Sequence, residues 1–359
     1  MRIGIIRTCG LGDAVQLTPL LQQVRADKPG ASIEMFVNGN AAPVLEGCPW
    51  IDRLHVLPER DMAGKESGLL CWRMWRHVLY AGSFDMLLHL DLQWRRAALL
   101  RFMPAAVRAT FVTAGRKLWS PGNKTMTVPV SLAENSRHTS QWYLDLWCAA
   151  SGAKDRGFSY DVRFLLGKTR AVPQMQRVAL VPGASHANPL GLVKRWPAGH
   201  WRALAARLVE KGWTPVFVGT KHDFPADEIP NGAENKLLQA GASTVREAAR
   251  IIADCCGLIG NDTGLYQMAM GFGVPTIGLF GATSPERTGP YRNDSAMVLT
   301  APLSCAPCYQ TVCNREGTQH PGLEKPFCMA LLTPERVISA ACDLFSIDEV
   351  GAAGSAPLE

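Results

Sequence analysis

The sequence has no uninterrupted run of about 20 apolar residues, the length that a membrane-spanning helix requires. Its first eight residues are interrupted too soon by Arg7 to be a secretory signal, and they are typical of a first β-strand. It also has no internal repeat at a fixed period and no low-complexity tract. These absences exclude membrane-spanning and repeat architectures, and they predict a globular protein of the cytoplasm.

The composition supports a large, reduced protein. The 359 residues are 47% hydrophobic, which is sufficient for two domains with their own cores. Eleven cysteines without a secretory signal predict a reducing compartment, in which thiols are buried or bound to metal rather than paired. The small and polar residues 351–359 predict a frayed end.

The net charge of +6 is unevenly distributed. Residues 1–165 contain 20 Lys and Arg against 14 Asp and Glu, and the remainder of the chain is balanced. This excess suits an acidic partner, such as a phosphorylated lipid or an anionic membrane surface, and a solvated basic face without a partner explains it equally well. No stripe of basic and aromatic residues accompanies the charge, so we expect no binding of nucleic acid.

Strand and helix patterns alternate along both halves of the chain, which predicts an α/β protein with two parallel-sheet domains and a cleft between them. We place the first domain at residues 1–165, a linker within 151–173, the second domain at 175–332 and a final helix at 333–350. A cysteine-rich loop at residues 303–329 belongs to the second domain.

Several elements of the first half are less regular. Residues 14–26 have helical spacing but contain Pro19, so that the helix is kinked or starts later. Residues 69–80 and a basic segment at 95–103 are predicted to be helical. Residues 113–128 are rich in Gly, Lys and Arg and are predicted to form an irregular surface loop.

Residues 257–285 contain the clearest pattern, which reads as strand, polar turn, helix, strand and second polar turn. The turn Gly260-Asn261-Asp262 precedes a helix that begins at Thr263 or Gly264, with Asp262 or Thr263 as its cap. A strand that leads into a helix N-terminus leaves unpaired N–H groups, which bind phosphate in many α/β proteins. An ordinary βαβ unit with a tight turn fits the spacing equally well.

The Gly-rich turn at residues 8–13 follows the first strand. It resembles a dinucleotide fingerprint, but Val15 occupies the place of the third glycine, and the carboxylate of Asp13 would repel a pyrophosphate. Asp13 suits a general base at the start of a helix, where the dipole favours its ionised form. From this turn alone, the simpler interpretation of Asp13 as a helix cap is favoured.

A second candidate phosphate site lies between residues 182 and 197. Gly183 follows a predicted strand, and Lys194 and Arg195 could neutralise the charge on a departing nucleotide diphosphate. A Lys-Arg pair on a loop is also typical of ordinary solvated surface.

Four cysteines form a third cluster. Cys305 and Cys308 make a Cys-x2-Cys pair, and Cys313 and Cys328 follow in the same irregular region, with His320 between them. Four thiols of this kind are a credible tetrahedral set for a structural zinc ion. Packing cysteines without a metal explain the pattern equally well.

These stretches together resemble the lipopolysaccharide heptosyltransferases, which form glycosyltransferase family 9. The motifs keep the order of that family from Gly10 to Met329, and jointly they are specific. They are Gly10-Leu11-Gly12-Asp13 with Thr18-Pro19, Lys194-Arg195-Trp196-Pro197, Gly260-Asn261-Asp262-Thr263-Gly264, Phe280 to Pro285 with Gly289-Pro290, and Cys305, Cys308 and Cys313 with Cys328-Met329.

The resemblance implies the GT-B architecture, in which two Rossmann-like domains face each other across a cleft, with the acceptor in the first and the nucleotide sugar in the second. It also implies that the final helix packs back towards the first domain. It implies transfer of a heptose from ADP-heptose to a sugar hydroxyl of a lipopolysaccharide core, with inversion and without a metal in the chemistry. Asp13 would be the general base, and Lys194 would bind the diphosphate.

The resemblance also implies where the substrates bind. The donor-site residues are Gly183, Lys194, Arg195, Asn261, Asp262, Thr263, Gly264 and Gln267. The acceptor-side residues are Gly10, Gly12 and Thr18. The partners implied are ADP-heptose or another nucleotide sugar, a lipid-linked or core-oligosaccharide acceptor and, through the basic first half, the anionic inner face of the cytoplasmic membrane.

Two residues depart from the family pattern. Gln267 stands where the family often has a histidine, and it can form hydrogen bonds but cannot carry charge. Tyr266 is larger than the small residue expected at its place. Both leave the identity of the donor sugar open.

Two other classes of protein compete with the transferase. A nucleotide-sugar isomerase of the same architecture would need further carboxylates and a histidine in the cleft, and the sequence has no convincing set. A non-catalytic nucleotide-sugar-binding protein would use Asp13 only as a helix cap, and its cysteines would hold a zinc-stapled interaction loop.

Overall fold

The computed structural model describes residues 1–58, 75–91, 100, 102–113, 125–130, 137–167, 174–184, 189–238, 243–313 and 326–345. Two six-stranded sheets form its framework, one before residue 131 and one after residue 173, and all the strand pairs described in them are parallel. None of the helices in this part of the chain is both long and apolar enough to cross a bilayer.

The first sheet has the strand order β3-β2-β1-β4-β5-β6, and the second has the order β12-β11-β10-β7-β8-β9. The strands are β1 (Arg2–Ile6), β2 (Ser32–Asn38), β3 (Arg53–Leu57), β4 (Phe84–His89), β5 (Ala105–Thr113), β6 (Thr125–Val130), β7 (Gln174–Val181), β8 (Thr214–Thr220), β9 (Glu234–Leu238), β10 (Cys255–Asn261), β11 (Thr276–Phe280) and β12 (Ala296–Thr300). The α-helices are α1 (Leu11–Gln16), α2 (Thr18–Asp27), α3 (Ala42–Leu45), α4 (Thr139–Ser151), α5 (Pro189–Leu192), α6 (Ala198–Glu210), α7 (Ser243–Ala253), α8 (Gly264–Phe272), α9 (Pro285–Thr288), α10 (Phe327–Ala330) and α11 (Pro334–Phe345), with a further helical segment at 75–80.

The helix expected at residues 14–26 is two helices, because the chain breaks at Leu17 between α1 and α2. Pro19 lies in the first turn of α2, where its missing N–H and fixed φ are tolerated. The hydroxyl of Thr18 donates to the carbonyl of Val15 over 2.8 Å and holds the junction together.

The irregular loop predicted for residues 113–128 is wrong at its C-terminal end, because Thr125–Val130 forms the edge strand β6 on β5. An edge strand needs backbone hydrogen bonds to one neighbour only, so a short run that contains Pro129 can serve. Residues 69–74 and most of the basic segment at 95–103 lie outside the described residues, as do the C-terminal residues from 346 onwards.

The final helix was expected to pack back towards the first domain, and this prediction is wrong as far as Phe345. Helix α11 packs on the second domain, where Phe345 contacts Trp213 and fills the space beside Gly257. Its apolar residues belong to the same buried cluster as Leu208 of α6. Arg207 of α6 also pairs with Glu335 at 2.5 Å.

The two domains are joined by polar contacts beside the start of α4. The imidazole of His138 lies 3.1 Å from the carbonyl of Gly289 and stacks on Tyr291, and the hydroxyl of Thr139 donates to the carbonyl of Arg287 over 3.0 Å. Burial lowers the pKa of His138 to about 4, so the ring is neutral at pH 7. A largely buried apolar cluster continues across this boundary from the first sheet to the second.

Candidate active site

Each sheet has one point at which the strand order reverses, between β1 and β4 in the first and between β7 and β10 in the second. Ligands of open α/β sheets bind at the carboxyl ends of the strands beside such a reversal. The chain that follows β1 and β4 carries Asp13 and Asp91, and the chain that follows β7 and β10 carries Gly183 and Asp262. The candidate residues of both domains therefore occupy the positions where this fold forms crevices.

Asp13 is the third residue of α1 and closes its first turn. Its Oδ2 accepts a hydrogen bond from the backbone N–H of Gly10, the N-cap residue of the helix, over 3.2 Å. Its Oδ1 lies 3.2 Å from the guanidinium of Arg7. The side chain of Asp13 is nevertheless 38% exposed, so the carboxylate can be reached from the cleft.

Lys194 and Asp262 form an ion pair at the edge of the second sheet. Lys194 Nζ donates to Asp262 Oδ2 over 2.7 Å, and the same oxygen accepts from the hydroxyls of Thr283 at 2.8 Å and Thr288 at 3.3 Å. The carboxylate of Asp262 is only 6% exposed, whereas the Lys194 side chain is 21% exposed. Asp262 thus holds the ammonium group of Lys194 in place, and the ammonium is the member of the pair that solvent reaches.

Asn261 connects the two loops of this edge. Its amide donates to the carbonyls of Pro182 at 2.8 Å and Gly183 at 3.2 Å, and its Oδ1 accepts from the backbone N–H of Trp196 at 3.3 Å. Asn261 is fully buried, and its hydrogen bonds fix the loops that carry Gly183 and Lys194.

Gly183 lies against the carboxylate of Asp223. A Cβ atom at Gly183 would come within 2.4 Å of that carboxyl group, so the close approach requires glycine. Asp223 is held by the backbone N–H and the hydroxyl of Thr220, at 2.7 and 2.9 Å. A carboxylate therefore stands beside the Gly183 turn at the end of β8.

The N-terminal ends of α1 and α8 meet across the cleft. Thr263 is the N-cap of α8, and its hydroxyl accepts from the N–H of Tyr266. A Cβ atom at Gly264 would lie 2.5 Å from Cβ of Leu11, a distance that real Cβ atoms essentially never show, and 3.0 Å from N of Gly12. Glycine at position 264 thus allows the turn of Asp13 to touch the first turn of the candidate donor helix.

Gln267 lies one turn further along α8, at the same contact. It is 1% exposed, and its Nε2 donates to the carbonyl of Thr288. Its Cγ lies 3.4 Å from the position that a Cβ atom of Gly12 would take. Among the described residues, Oε1 of Gln267 has no hydrogen-bond partner, which leaves a buried acceptor beside the cleft.

Two of the predicted residues are placed differently from the rest. Thr18 is fully buried, and its hydroxyl is engaged with the carbonyl of Val15 and the N–H of Asp161, so it does not line the cleft. Arg195 is half-buried beside Lys194, and the ion pair with Asp262 is made by Lys194. Ser185 and His186 lie outside the described residues.

The four clustered cysteines line one cavity of about 240 Å³, together with apolar residues such as Val193 and Ala282. Burial, followed by the charges of the other three thiols, raises the pKa of Cys328 to about 11. Four thiols suit a soft metal ion, but no three His, Cys, Asp or Glu side chains of the described chain are arranged to hold one. Residues 314–325, which include His320, lie outside that part.

A family model for glycosyltransferase family 9, described as heptosyltransferase, matches residues 71–319. The chain belongs to glycosyltransferase family 9. It is therefore a glycosyltransferase, as the motifs led us to expect. The match runs from the middle of the first domain to the cysteine-rich region, so it includes Lys194 and Asp262 but begins after the turn of Asp13. Membership of a transferase family favours the transferase over the isomerase class.

Individual relatives of this family 9 glycosyltransferase span its whole length. Lipopolysaccharide heptosyltransferase 1 of Pseudomonas aeruginosa is 24% identical over 355 residues, which is 94% of this chain and 96% of the relative. A family 9 glycosyltransferase structure from Veillonella parvula has a TM-score of 0.69 at 20% identity, with 96% and 97% of the two chains covered. The E. coli heptosyltransferase WaaC with ADP has a TM-score of 0.68 at 18% identity, with 96% and 99% covered. The predicted GT-B fold is confirmed.

The two departures from the family pattern have different consequences in this glycosyltransferase. The ring of Tyr266 is fully buried against Phe280, and it occupies the space that glycine at position 278 leaves beneath the sheet. Tyr266 therefore belongs to the core and not to the donor site. Gln267 does lie at the cleft, so it is the departure that bears on the donor.

Several residues of the glycosyltransferase cleft were not predicted from the sequence. Thr283 and Thr288 share Asp262 with Lys194, Asp223 occupies the turn beside Gly183, and Arg7 with Asp91 surrounds Asp13. Of these residues, only Thr283 lies in a segment that the sequence pattern indicates as part of the site, since residues 281–285 form a polar turn after a predicted strand. The other pairs join residues that are far apart in the sequence, and no local pattern reveals them.

Proposed function

We propose that this glycosyltransferase transfers a heptose from ADP-heptose to a sugar hydroxyl of a lipopolysaccharide core or a similar glycan, with inversion at the anomeric carbon. The observation that carries the proposal is the contact between Gly12 and Gly264, which puts Asp13 next to the first turn of α8. The P. aeruginosa relative is named a lipopolysaccharide heptosyltransferase, and the similar E. coli enzyme was solved with ADP and with a fluorinated ADP-heptose.

In the proposed reaction, the acceptor oxygen attacks the anomeric carbon of the donor while its proton passes to the carboxylate of Asp13. The bond between that carbon and the diphosphate oxygen breaks, and its electrons leave with the nucleotide diphosphate. The exposed carboxylate of Asp13 and its position at the cleft support this role.

Lys194 and the first turn of α8 stabilise the leaving group in the proposed reaction. The first amides of a helix have no intrahelical partner and carry the positive end of the dipole, so they suit a diphosphate. The ion pair with Asp262 holds Lys194 Nζ 2.7 Å from a buried oxygen, which fixes the cation before the donor binds. A positive charge that is fixed in advance stabilises developing negative charge well.

Gln267 favours a second candidate donor, a nucleotide sugar other than ADP-heptose. The histidine common at this place in the family can carry a positive charge, whereas the amide of Gln267 is neutral and already donates to Thr288. Its free Oε1 can accept a hydrogen bond from a sugar hydroxyl. The transferase chemistry would be the same with either donor.

We propose that the acceptor is a phosphorylated lipid-linked or core saccharide and that the basic first domain approaches the anionic inner face of the cytoplasmic membrane. The excess of 20 Lys and Arg over 14 Asp and Glu in residues 1–165 supports this orientation.

Calorimetric titration of the purified protein with ADP-, GDP- and UDP-linked sugars tests the donor assignment. We expect saturable binding of ADP-heptose and weaker binding of ADP alone. Selective binding of a UDP- or GDP-sugar would replace the heptose assignment with the second candidate. Absence of binding across the panel, by protein with an intact thermal transition, would support a different ligand for the cleft.

We also propose that Cys305, Cys308, Cys313 and Cys328 close around one structural metal ion, most suitably zinc, although no three of these side chains are already arranged to hold one in the described chain. Their shared cavity supports this proposal. We expect about one metal ion per chain by plasma mass spectrometry and its loss when Cys305 and Cys308 are both changed to serine. A Cys342→Ser control should retain the metal. Folded, metal-free protein from zinc-supplemented cells would refute the proposal.

A further inference from the structure

Arg7 lies between two carboxylates at the end of β1. One guanidinium nitrogen is 2.9 Å from Asp91 Oδ1, and the other is 3.2 Å from Asp13 Oδ1. The exposed fraction of the side chain falls from 38% at Asp13 to 16% at Arg7 and 3% at Asp91. The three groups therefore form a line from the cleft into the protein, with the candidate base at the open end.

The inner end of this line is fixed. Asp91 Oδ1 accepts from the backbone N–H of Thr8 at 3.0 Å, and Oδ2 accepts from the hydroxyl of Thr8 at 2.8 Å. The guanidinium of Arg7 lies 5.8 Å from the centre of the Tyr143 ring. Asp91 thereby sets the position of Arg7, and Arg7 sets the orientation of the Asp13 carboxylate.

We propose that Arg7 and Asp91 are positioning residues that orient the carboxylate of Asp13 at the cleft. The inference rests on the proposed role of Asp13 as the base. Both residues act through Asp13 and not on the substrate. Their contribution is therefore expected in turnover and not in donor affinity, because the donor site is built by the second domain.

Three other titratable groups of the described chain face this line. Burial raises the pKa of Cys9 and of Tyr143, so both stay neutral through the pH range of an assay. The ring of His89 lies 3.8 Å from Asp91 Oδ2 at the end of β4. Burial alone would lower the pKa of Arg7, but the charges around it raise that pKa, so the guanidinium stays protonated.

The test is the steady-state kinetics of the proposed transfer from ADP-heptose, combined with donor calorimetry, in the full-length protein. In Arg7→Gln, the group that holds Asp13 Oδ1 is lost, and we expect kcat to fall by at least about tenfold. The dissociation constant of the donor should stay within a factor of about two. In Asp91→Asn, the carboxylate that holds Arg7 is lost and kcat should also fall, whereas Arg7→Lys keeps a cation beside Asp13 and should recover part of kcat.

Glu34→Gln is the matched control. Glu34 is also a carboxylate with 1% exposure that pairs with an arginine of β1, Arg2 at 2.6 Å, but at the opposite end of the strand. This variant should leave kcat unchanged within a factor of about two. Circular dichroism and donor calorimetry on each variant show whether the fold is retained, and Arg7→Lys keeps the charge if Arg7→Gln does not fold.

The outcomes separate the two proposals. An unchanged kcat in folded Arg7→Gln and Asp91→Asn, while Asp13→Asn is inactive, overturns the inference and leaves the proposed reaction standing. A loss of donor affinity as large as the loss of kcat also overturns the inference, because the two residues would then not act through Asp13. An Asp13→Asn variant that keeps its turnover shows that Asp13 is not the base, and the proposed reaction fails instead.

Discussion

Replacement of Asp13 by asparagine is expected to lower kcat by about 10²–10⁴-fold, the usual contribution of a general base. Asparagine keeps a side-chain oxygen that can accept from the N–H of Gly10, so the hydrogen bond at the start of α1 is kept and the fold is retained. Donor affinity should stay within a factor of about two, since Lys194 and α8 are unchanged. A radiolabelled transfer assay with ADP-heptose, combined with calorimetry, measures both quantities.

Asp13→Ala serves as the comparison for this variant. It removes both the base and the capping carboxylate, so it should lose activity to the same extent and also lose about 1 kcal/mol of stability. An Asp13→Asn enzyme that retains most of its turnover would show that another group takes the proton. Loss of donor binding together with turnover would instead point to a structural role at the contact with Gly264.

Replacement of Lys194 by methionine is expected to lower kcat by about 10²–10³-fold and to weaken donor binding. The side chain keeps its length, but the charge that faces the leaving diphosphate is lost. Asp262 then lies buried with the hydroxyls of Thr283 and Thr288 as partners and without a counter-ion. Repulsion between this carboxylate and the diphosphate adds to the loss.

Lys236→Met is the control, because Lys236 is a 45% exposed lysine of the same domain whose ion pair with Glu234 spans 3.7 Å. It should change neither kcat nor donor affinity measurably. The double variant Lys194→Met with Asp262→Asn should recover part of the lost donor affinity, because the buried negative charge is removed with its partner. A double variant no better than Lys194→Met would contradict the pairing as the source of the loss.

The sequence was informative where function and local structure coincide. The strand, turn and helix around residues 255–272 were predicted in type and order, and Thr263 is the cap of α8 as one of two alternatives stated. Glycine, polar caps and buried strands leave local signals, because each of them is required by the backbone at its own position. Pro19 likewise marked a helix that the structure divides at Leu17.

The sequence was silent where partners are far apart. Arg7 and Asp91 are separated by 84 residues, and only the pairing of β1 with β4 brings them together. Asp262 was predicted to line the donor site, but its side chain is only 6% exposed and is paired with Lys194, so it holds Lys194 in position. The domain on which α11 packs depends on which sheet has an apolar face free to receive it. The amphipathic pattern of the helix does not specify which sheet that is.

The contact between Gly12 and Gly264 also makes the alignment of the two half-sites sensitive to a single methyl group. A Cβ atom at position 264 would lie 2.5 Å from Cβ of Leu11, so Gly264→Ala requires the turn of Asp13 or the start of α8 to shift. Each half-site would keep its own residues, but the spacing between the base and the donor turn would change.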